Sequence, residues 1–130
     1  MNLILRPFCR EDYKFLYELL QQRDKKCCIS HKGIPSVKEH IKFWKSAPYK
    51  EAYIIDCENK PIGAVYISKL KEVGIHLIKG HNGGIKKAIL TGMMDKIKYA
   101  NVSPNDRASQ KLFKSLGFKL IQYTYEKVIH

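Results

Sequence analysis

A strand-like run, a glycine-rich loop and a helical run follow one another over residues 73–97. Val73 to Ile78 predicts a strand, and the loop from Lys79 to Gly84 contains three glycines. In the run after the loop, apolar residues recur at helical spacing, which is weakened only by Gly92. The N–H groups of a first helical turn point outward at the positive end of the helix dipole, and glycines let a phosphate approach them. The unit predicts an α/β protein in which this loop is either an anion site or an ordinary turn.

Apolar periodicity and turn residues divide the whole chain into short elements. In order, the sequence predicts strand Asn2–Arg6, helix Arg10–Arg23, loop Asp24–Pro35, a helix from Ser36 to before Pro48, strands Ala52–Cys57, Ile62–Leu70 and Val73–Ile78, helix Ile85–Ile97, strand Tyr99–Val102, helix Asp106–Leu116 and strand Phe118–Val128. Ser36 with Glu39 three residues later has the capping-box pattern, and Gly117 stands where a helix commonly ends. The order β-α-α-β-β-β-α-β-α-β predicts a mixed α/β layer fold in a single domain over residues 1–130.

The first two predicted helices each carry one apolar face. Residues of the first helix recur at i, i+3, i+4 and i+7, the spacing of a buried stripe: Tyr13, Leu16, Tyr17 and Leu20. The corresponding face of the second helix comprises Val37, His40, Ile41 and Trp44. Phe43 and Trp44 are adjacent, so at most one of them faces the core.

The charge balance limits the possible partners. The 130 residues contain 24 lysines and arginines against 12 acidic residues, a net charge of +12. The lysines are spread along the chain, which favours a solvated surface or an anionic small ligand over a nucleic-acid groove. No apolar run approaches the ~20 residues of a membrane span, and Arg6 stands where a signal peptide needs its apolar centre. We therefore expect a cytoplasmic protein without a membrane partner.

The cysteines do not have the spacing of a metal site. Cys9 and Cys57 stand alone, and the adjacent pair Cys27–Cys28 belongs to no C-x-x-C or Cys/His cluster. Reduced thiols are expected, and no metal site is predicted.

The segment Asn105 to Phe118 carries the most specific motif. An asparagine precedes a helix with an Arg-Ala pair and a serine in its first turn, and the helix ends in Gly-Phe. This segment resembles the late helix of the GNAT superfamily of N-acetyltransferases. Lys71 to Ile75 resembles the acidic start of the family's fourth strand, and His81 to Lys86 lies at its pyrophosphate loop. Leu5 to Pro7, followed by Glu11 and Asp12, resembles the family's first strand and helix start.

The resemblance covers nearly the whole chain and implies a fold and a reaction. The implied fold is a compact GNAT-like one, a mixed and mostly antiparallel sheet flanked by helices, with acetyl-CoA bound as cosubstrate in the splay after the fourth strand. GNAT enzymes transfer an acetyl group to an amine by direct attack, and a base must take the amine proton. Glu72 occupies the usual position of that carboxylate; the alternative is a solvated glutamate at the strand edge.

The resemblance also implies the cofactor-binding residues. Backbone N–H groups of the fourth strand would face the thioester carbonyl and the pantetheine arm. The implied set is Ile75, Leu77, Ile78, His81, Asn82, Gly83, Gly84, Ile85, Lys86, Asn105, Ser109 and Phe113.

The loop and the helix after it depart from the family pattern. Lys86 stands at a usually small loop position, where it either binds a phosphate or hinders the backbone approach, and His81 replaces Gln or Arg. Asp106 stands where many members have Asn, and its carboxylate would repel a phosphate.

The general acid is a separate question. Phe113 stands where the family often has a tyrosine that protonates the thiolate, and phenylalanine cannot donate a proton. Either the thiolate leaves unaided, or Tyr99 or Ser109 donates the proton.

The acceptor is expected to lie between the first two helices and their loop. Candidate lining residues are His31, Phe43, Trp44 and Tyr49. A likeness to compact members that modify surface sugars and amino sugars favours an amino sugar or its nucleotide as acceptor, with a protein amine second. A binding module without turnover and a basic nucleic-acid-binding protein remain the alternatives, and the protein is expected to be a monomer or a homodimer.

Overall fold

Short apolar runs separated by glycine, proline and charged turns form alternating strands and helices. The computed structural model describes them for residues 2–22, 34–81 and 83–128. The elements are β1 Leu3–Pro7, a 3-10 turn Arg10–Asp12, α1 Tyr13–Gln21, α2 Val37–Lys45, β2 Glu51–Cys57, β3 Lys60–Ile67, β4 Glu72–Leu77, α3 Gly83–Thr91, β5 Tyr99–Ala100 and α4 Arg107–Ser115. The candidate residues His31 and Asn82 and the pair Cys27–Cys28 lie outside the described residues.

The strands form one five-stranded sheet in chain order. All neighbouring strands are antiparallel except β5, which runs parallel to β4. The β4–β5 ladder comprises only the pairs Glu72↔Tyr99 and Val73↔Ala100. The two strands therefore separate after Val73. This arrangement confirms the expected mixed, mostly antiparallel sheet flanked by helices.

Each face of the sheet packs against its own pair of helices. Strand alternation sends Ala64 of β3 toward α1 and α2, whereas Val65 and Ile67 face α3 and α4. The core under α1 and α2 contains Leu16, Leu19, Trp44, Ile54 and Ala64. The larger core under α3 and α4 includes Ile55, Val65, Ile75, Ile85, Leu90 and Phe113. Each fully buried aliphatic side chain contributes roughly 1.5–3 kcal/mol.

The helix ends follow the predicted local signals. The Ser36 hydroxyl accepts a hydrogen bond from the Glu39 N–H, and the Glu39 carboxylate accepts one from the Ser36 N–H, both 3.2 Å long. This confirms the capping box, which typically contributes about 0.5–2 kcal/mol. Gly117 follows α4 with a φ of 93°, and this left-handed conformation explains the glycine.

The buried faces of the first two helices were predicted in part. Leu16 and Leu19 are the buried residues of α1, so Leu19 replaces Leu20 in the predicted stripe. In α2, Trp44 is 7% exposed and Phe43 is 36% exposed. One of these two adjacent aromatic residues therefore faces the core, as predicted.

Several predicted elements end earlier in the structure; one of them is β3, which ends at Ile67 and not at Leu70. The helix predicted to run to Ile97 ends at Thr91, directly before Gly92, and turns follow. Ile97 is nevertheless buried in the core, so its apolar spacing reflects tertiary packing and not helix length. β5 stops at Ala100, two residues before the predicted end, because the chain diverges from β4.

The predicted final strand over residues 118–128 is wrong. Phe118 packs on Phe113 with ring centroids 5.2 Å apart, but the chain beyond it pairs with no strand of the described residues. Tyr123 and Tyr125 are 73% and 90% exposed. An alternating pattern forms a strand only beside a partner edge, and β5 is only two residues long.

An ion-pair network ties β1 to the start of the first helix. The Arg6 guanidinium donates two 2.9 Å hydrogen bonds to the Asp12 carboxylate and one of 2.7 Å to Asp56 on β2. Burial opposes the charged form of Asp12, but hydrogen bonds from Arg6 and Cys9 outweigh it and hold its pKa below the ordinary value. The network joins the first strand to the helix start that follows it, the two segments that resemble the start of the GNAT fold.

Two further observations concern the expected class of protein. Cys9 and Cys57 are free thiols. Within residues 2–22, 34–81 and 83–128, no helix is long and apolar enough to cross a membrane.

Candidate active site

A cavity of about 730 Å³ opens where β4 and β5 separate and continues beneath α1 and α2. Residues of α1, α2, β3 and β4 line one part of it, and residues from α3, α4 and the chain after β5 line the other. This volume lies within the range of roughly 300–1,000 Å³ that small-molecule sites occupy.

Alternate residues of β4 direct their backbone N–H and carbonyl groups toward the edge of the sheet from which β5 separates. The Glu72 carbonyl accepts a 2.9 Å hydrogen bond from the Ser68 N–H, and the Ile78 N–H donates a 2.8 Å bond to the Ile62 carbonyl. Glu72 and Ile78 therefore direct their backbone groups toward β3. The intervening odd-numbered residues, Ile75 and Leu77, therefore point theirs toward the edge that β5 has left. The sequence analysis expected the backbone N–H groups of Ile75, Leu77 and Ile78 to face the pantetheine arm. Those of Ile75 and Leu77 point to the open edge, whereas that of Ile78 is hydrogen-bonded to β3.

Glu72 lies at the start of this open edge and lines the cavity. One carboxylate oxygen accepts a 3.1 Å hydrogen bond from the Ser68 hydroxyl, and the other accepts a 2.7 Å bond from the Asn101 amide. The carboxylate is thus held in one orientation. The sequence analysis did not identify Ser68 or Asn101; their positions just after β3 and β5 were the available signal.

The glycine loop leads into α3, which begins at Gly83. Lys86, in the first turn, lines the cavity. The Ile85 side chain is buried in the core and does not line the cavity. His81 and Gly84 do not line the cavity themselves, although they flank the start of the helix.

The start of α4 contributes a carboxylate that is engaged within its own helix. Asp106 is the N-cap residue; one of its oxygens accepts from the Ser109 N–H at 3.0 Å and the other from the Ser109 hydroxyl at 2.7 Å. Both residues line the cavity, whereas Asn105 does not. Capping of α4 therefore accounts for an aspartate at position 106, and the Ser109 hydroxyl points its proton toward the Asp106 carboxylate.

Phe113, at the family's usual general-acid position, and Tyr99, a candidate proton donor, lie in different places. Phe113 lines the cavity and is 9% exposed. Tyr99 is paired with Glu72 in the sheet but does not line the cavity, and the Lys98 ammonium group lies 5.4 Å from its ring centroid. The structure therefore places Tyr99 outside the cavity lining and engages the Ser109 hydroxyl with Asp106.

An aromatic wall, defined as Trp44, Tyr49 and Tyr66, borders the cavity under α2. Tyr49 and Tyr66 are stacked with ring centroids 4.3 Å apart, and Trp44 lies 5.4 Å from Tyr49. Phe43 also lines this part of the cavity. The sequence analysis missed Tyr66, although its place in the alternation of β3 puts it on the same face as Ala64.

Comparison with known proteins identifies the fold. No protein-family model and no curated protein matches the sequence, whereas many solved structures match the fold. A domain from Methanocaldococcus jannaschii is 26% identical over 96% of this chain and 93% of that one, with a TM-score of 0.74. An acetyltransferase from Thermus thermophilus is 15% identical over 94% and 90% of the two chains, with a TM-score of 0.75. A putative acetyltransferase from Salmonella typhimurium, solved with acetyl-CoA, is 15% identical over 91% and 80%, with a TM-score of 0.70. The chain has the fold of the GNAT acetyltransferases, as the late-helix motif had led us to expect.

Proposed function

We propose that this protein is an N-acetyltransferase that moves the acetyl group of acetyl-CoA to a primary amine. The observation that carries the proposal is that one cavity joins the open edge of β4, the start of α3 and the Glu72 carboxylate. These features supply hydrogen-bond donors for a thioester, a positive helix end for phosphates and a base for an amine. The fold shared with proteins named acetyltransferases supports the same reaction.

The residues present fit acetyl-CoA. Ile75 and Leu77 offer backbone N–H groups to the thioester carbonyl and the pantetheine amides. The first turn of α3 and the Lys86 ammonium group offer positive charge to the pyrophosphate. A Cβ added at Gly83 would meet no other atom within 4 Å, so the helix start is open to a ligand. Bound acetyl-CoA supplies an acetyl group on a good leaving group.

Glu72 acts on the acceptor in this proposal. An alkylamine is almost wholly protonated at neutral pH, because its pKa is about 10.4, and only the neutral form attacks a thioester. The Glu72 carboxylate, oriented by Ser68 and Asn101, takes the first proton from the bound ammonium ion. The Ile75 N–H group faces the carbonyl oxygen on which negative charge develops.

The aromatic lining of the cavity favours an amino sugar as the acceptor. Phe43, which is 36% exposed and lines the cavity, offers an apolar surface to a sugar ring, and the Glu72 carboxylate attracts the ammonium group of the sugar. One protein of the same fold, AAC(6')-Iy, was solved with the bisubstrate analogue CoA-S-monomethyl-acetylneamine. A protein amine is the second candidate, since another, RimL, is named a ribosomal L7/L12 alpha-N-protein acetyltransferase.

A binding module without turnover is the alternative from another class. It is favoured by Phe113, which has no proton to donate, and by Ser109, whose hydroxyl donates to Asp106. Such a module would bind acetyl-CoA but would release no thiol with any amine.

Two measurements test the proposal. Acetyl-CoA at about 100 times its Kd should stabilise the protein by roughly 2.7 kcal/mol and raise its Tm by several degrees, whereas free acetate should not. Thiol release is then followed with glucosamine and with a peptide that begins with alanine. No Tm shift at millimolar acetyl-CoA would overturn the assignment, and a shift without thiol release would favour the binding module.

A further inference from the structure

Tyr66 and His76 form a hydrogen-bonded pair inside the same cavity. The Tyr66 hydroxyl lies 2.6 Å from Nε2 of His76, and both side chains line the cavity. They come from neighbouring strands: Tyr66 is paired with Gly74 in the β3–β4 register, and His76 lies two residues further along β4. The pair is thus on the face of β4 that also carries Glu72.

Packing fixes the position of the Tyr66 hydroxyl. Its ring stacks on Tyr49 on one side and crosses Gly74 on the other, where an added Cβ would overlap with the ring. A glycine at this position is therefore what lets the ring reach His76. The length of 2.6 Å is short for a hydrogen bond to a nitrogen, so the two groups are in close contact.

The proposed reaction requires two proton acceptors. An ammonium ion loses one proton before its nitrogen attacks, and the nitrogen must lose a second as the amide forms. Glu72 is already protonated after it has taken the first. A second group near the acceptor nitrogen is therefore needed until Glu72 has released its proton to solvent.

We propose that Tyr66 and His76 act as a proton relay that takes this second proton, an inference that rests on the proposed acetyl transfer. As the N–C bond forms, the nitrogen gives its proton to the Tyr66 oxygen while Tyr66 passes its own proton to Nε2 of His76. The C–S bond breaks, and its electron pair leaves on the sulfur, which is protonated from water. The imidazolium ion and Glu72 then each return a proton to solvent, so that each turnover releases one proton net.

The chemistry of the two groups suits this role. A phenol with an ordinary pKa near 10 is a poor base alone, but the concerted transfer forms neither a phenolate nor a protonated phenol. A neutral imidazole has one ring nitrogen without a proton, and Nε2 of His76 is placed to accept the proton that Tyr66 passes on. Other titratable side chains that line the cavity are Glu39 and His40 on α2, Tyr49 before β2, Glu72 on β4, Lys86 on α3 and Asp106 at the start of α4.

The test compares Tyr66→Phe and His76→Gln with the wild type, using acetyl-CoA with glucosamine or the alanine peptide. Tyr66→Phe keeps the stacked ring, and both variants are checked by circular dichroism and by their acetyl-CoA Kd. Tyr53→Phe is the matched control, because it removes a hydroxyl that donates a 2.6 Å hydrogen bond to Glu51 outside the cavity. We expect kcat to fall by at least about tenfold in the two relay variants and to be unchanged in the control.

The pH profile separates a relay from a merely structural role. Wild-type kcat should fall toward acid pH as the His76 imidazole becomes protonated, and this fall should be weaker in Tyr66→Phe and in His76→Gln. Wild-type kcat with an unchanged fall toward acid pH in folded Tyr66→Phe would overturn the relay and leave the acetyltransferase proposal standing. Absence of turnover by the wild-type protein with both acceptors would overturn both.

Discussion

The Asn101 amide donates a 2.7 Å hydrogen bond to the Glu72 carboxylate across the point at which β4 and β5 separate. Glu72 begins β4, and Asn101 directly follows the last residue of β5. The parallel ladder that pairs Val73 with Ala100 brings the two side chains together. The same short ladder that opens the sheet for a ligand thereby also orients the proposed base.

Replacement of Glu72 tests its role as the proton acceptor. Glu72→Gln keeps the size of the side chain but removes the base, so kcat should fall by at least about tenfold. The acetyl-CoA Kd should be nearly unchanged, because this side chain is expected to contact the amine and not the phosphates. Part of the loss should be recovered at high pH, where more of the amine is neutral. Steady-state kinetics from pH 6 to pH 10 measure both effects. If the Glu72→Gln variant has the wild-type kcat at pH 7, Glu72 is a solvated carboxylate at the strand edge and not the base.

Replacement of Asn101 tests whether it acts through Glu72. Asn101→Ala removes the 2.7 Å hydrogen bond and should lower kcat by about three- to tenfold, which corresponds to the roughly 0.6–1.4 kcal/mol expected for one hydrogen bond at an exposed residue. The double variant with Glu72→Gln should be no slower than Glu72→Gln alone, since the amide has no carboxylate left to orient. If the two losses multiply instead, Asn101 acts independently of Glu72.

Lys86 is the predicted phosphate contact. Lys86→Ala should weaken acetyl-CoA binding by roughly tenfold at low salt, and added salt should reduce the difference. Lys87→Ala makes the same charge change at an exposed residue that does not line the cavity, and it should have a smaller effect. Titration calorimetry at two salt concentrations measures the difference. Tighter binding by Lys86→Gly would show that the side chain hinders the loop, as the alternative interpretation holds.

The Arg6–Asp12 pair should make stability depend on pH. The pKa of Asp12 is lowered in the folded protein, so its contribution is fully present above the unfolded pKa of about 3.9 and is lost as the pH falls through the folded value. Asp12→Asn should cost about 1–3 kcal/mol at pH 7, toward the lower end because the Arg6 side chain is 34% exposed. Urea unfolding measures the cost, which should shrink below about pH 4.

The control for that experiment is Asp95→Asn, the same chemical change at an exposed residue. It should alter the free energy of unfolding by less than about 0.5 kcal/mol at either pH. An equal cost of Asp12→Asn at pH 7 and at pH 3 would show that the charge of Asp12 does not contribute.

Local sequence determined much of the fold. Ser36 and Glu39 cap α2, and Gly117 ends α4, because each signal acts within one helical turn and needs no distant partner. Local signals also predicted the glycine loop before α3, whereas the GNAT resemblance placed Glu72 at the start of the fourth strand. The late-helix motif then suggested the family whose fold the structure shows.

Tertiary structure decided what depends on pairing between distant segments. The pattern over residues 118–128 satisfies strand periodicity, yet no strand edge of the described chain receives it. Asn101 meets Glu72, and Tyr66 meets His76, only because sheet register brings residues 29 and 10 positions apart into contact. Periodicity encodes which face a residue occupies, but the register of two strands follows from the packing of the whole sheet. The sequence alone therefore indicated the proposed base, whereas the groups around it became visible only in the folded protein.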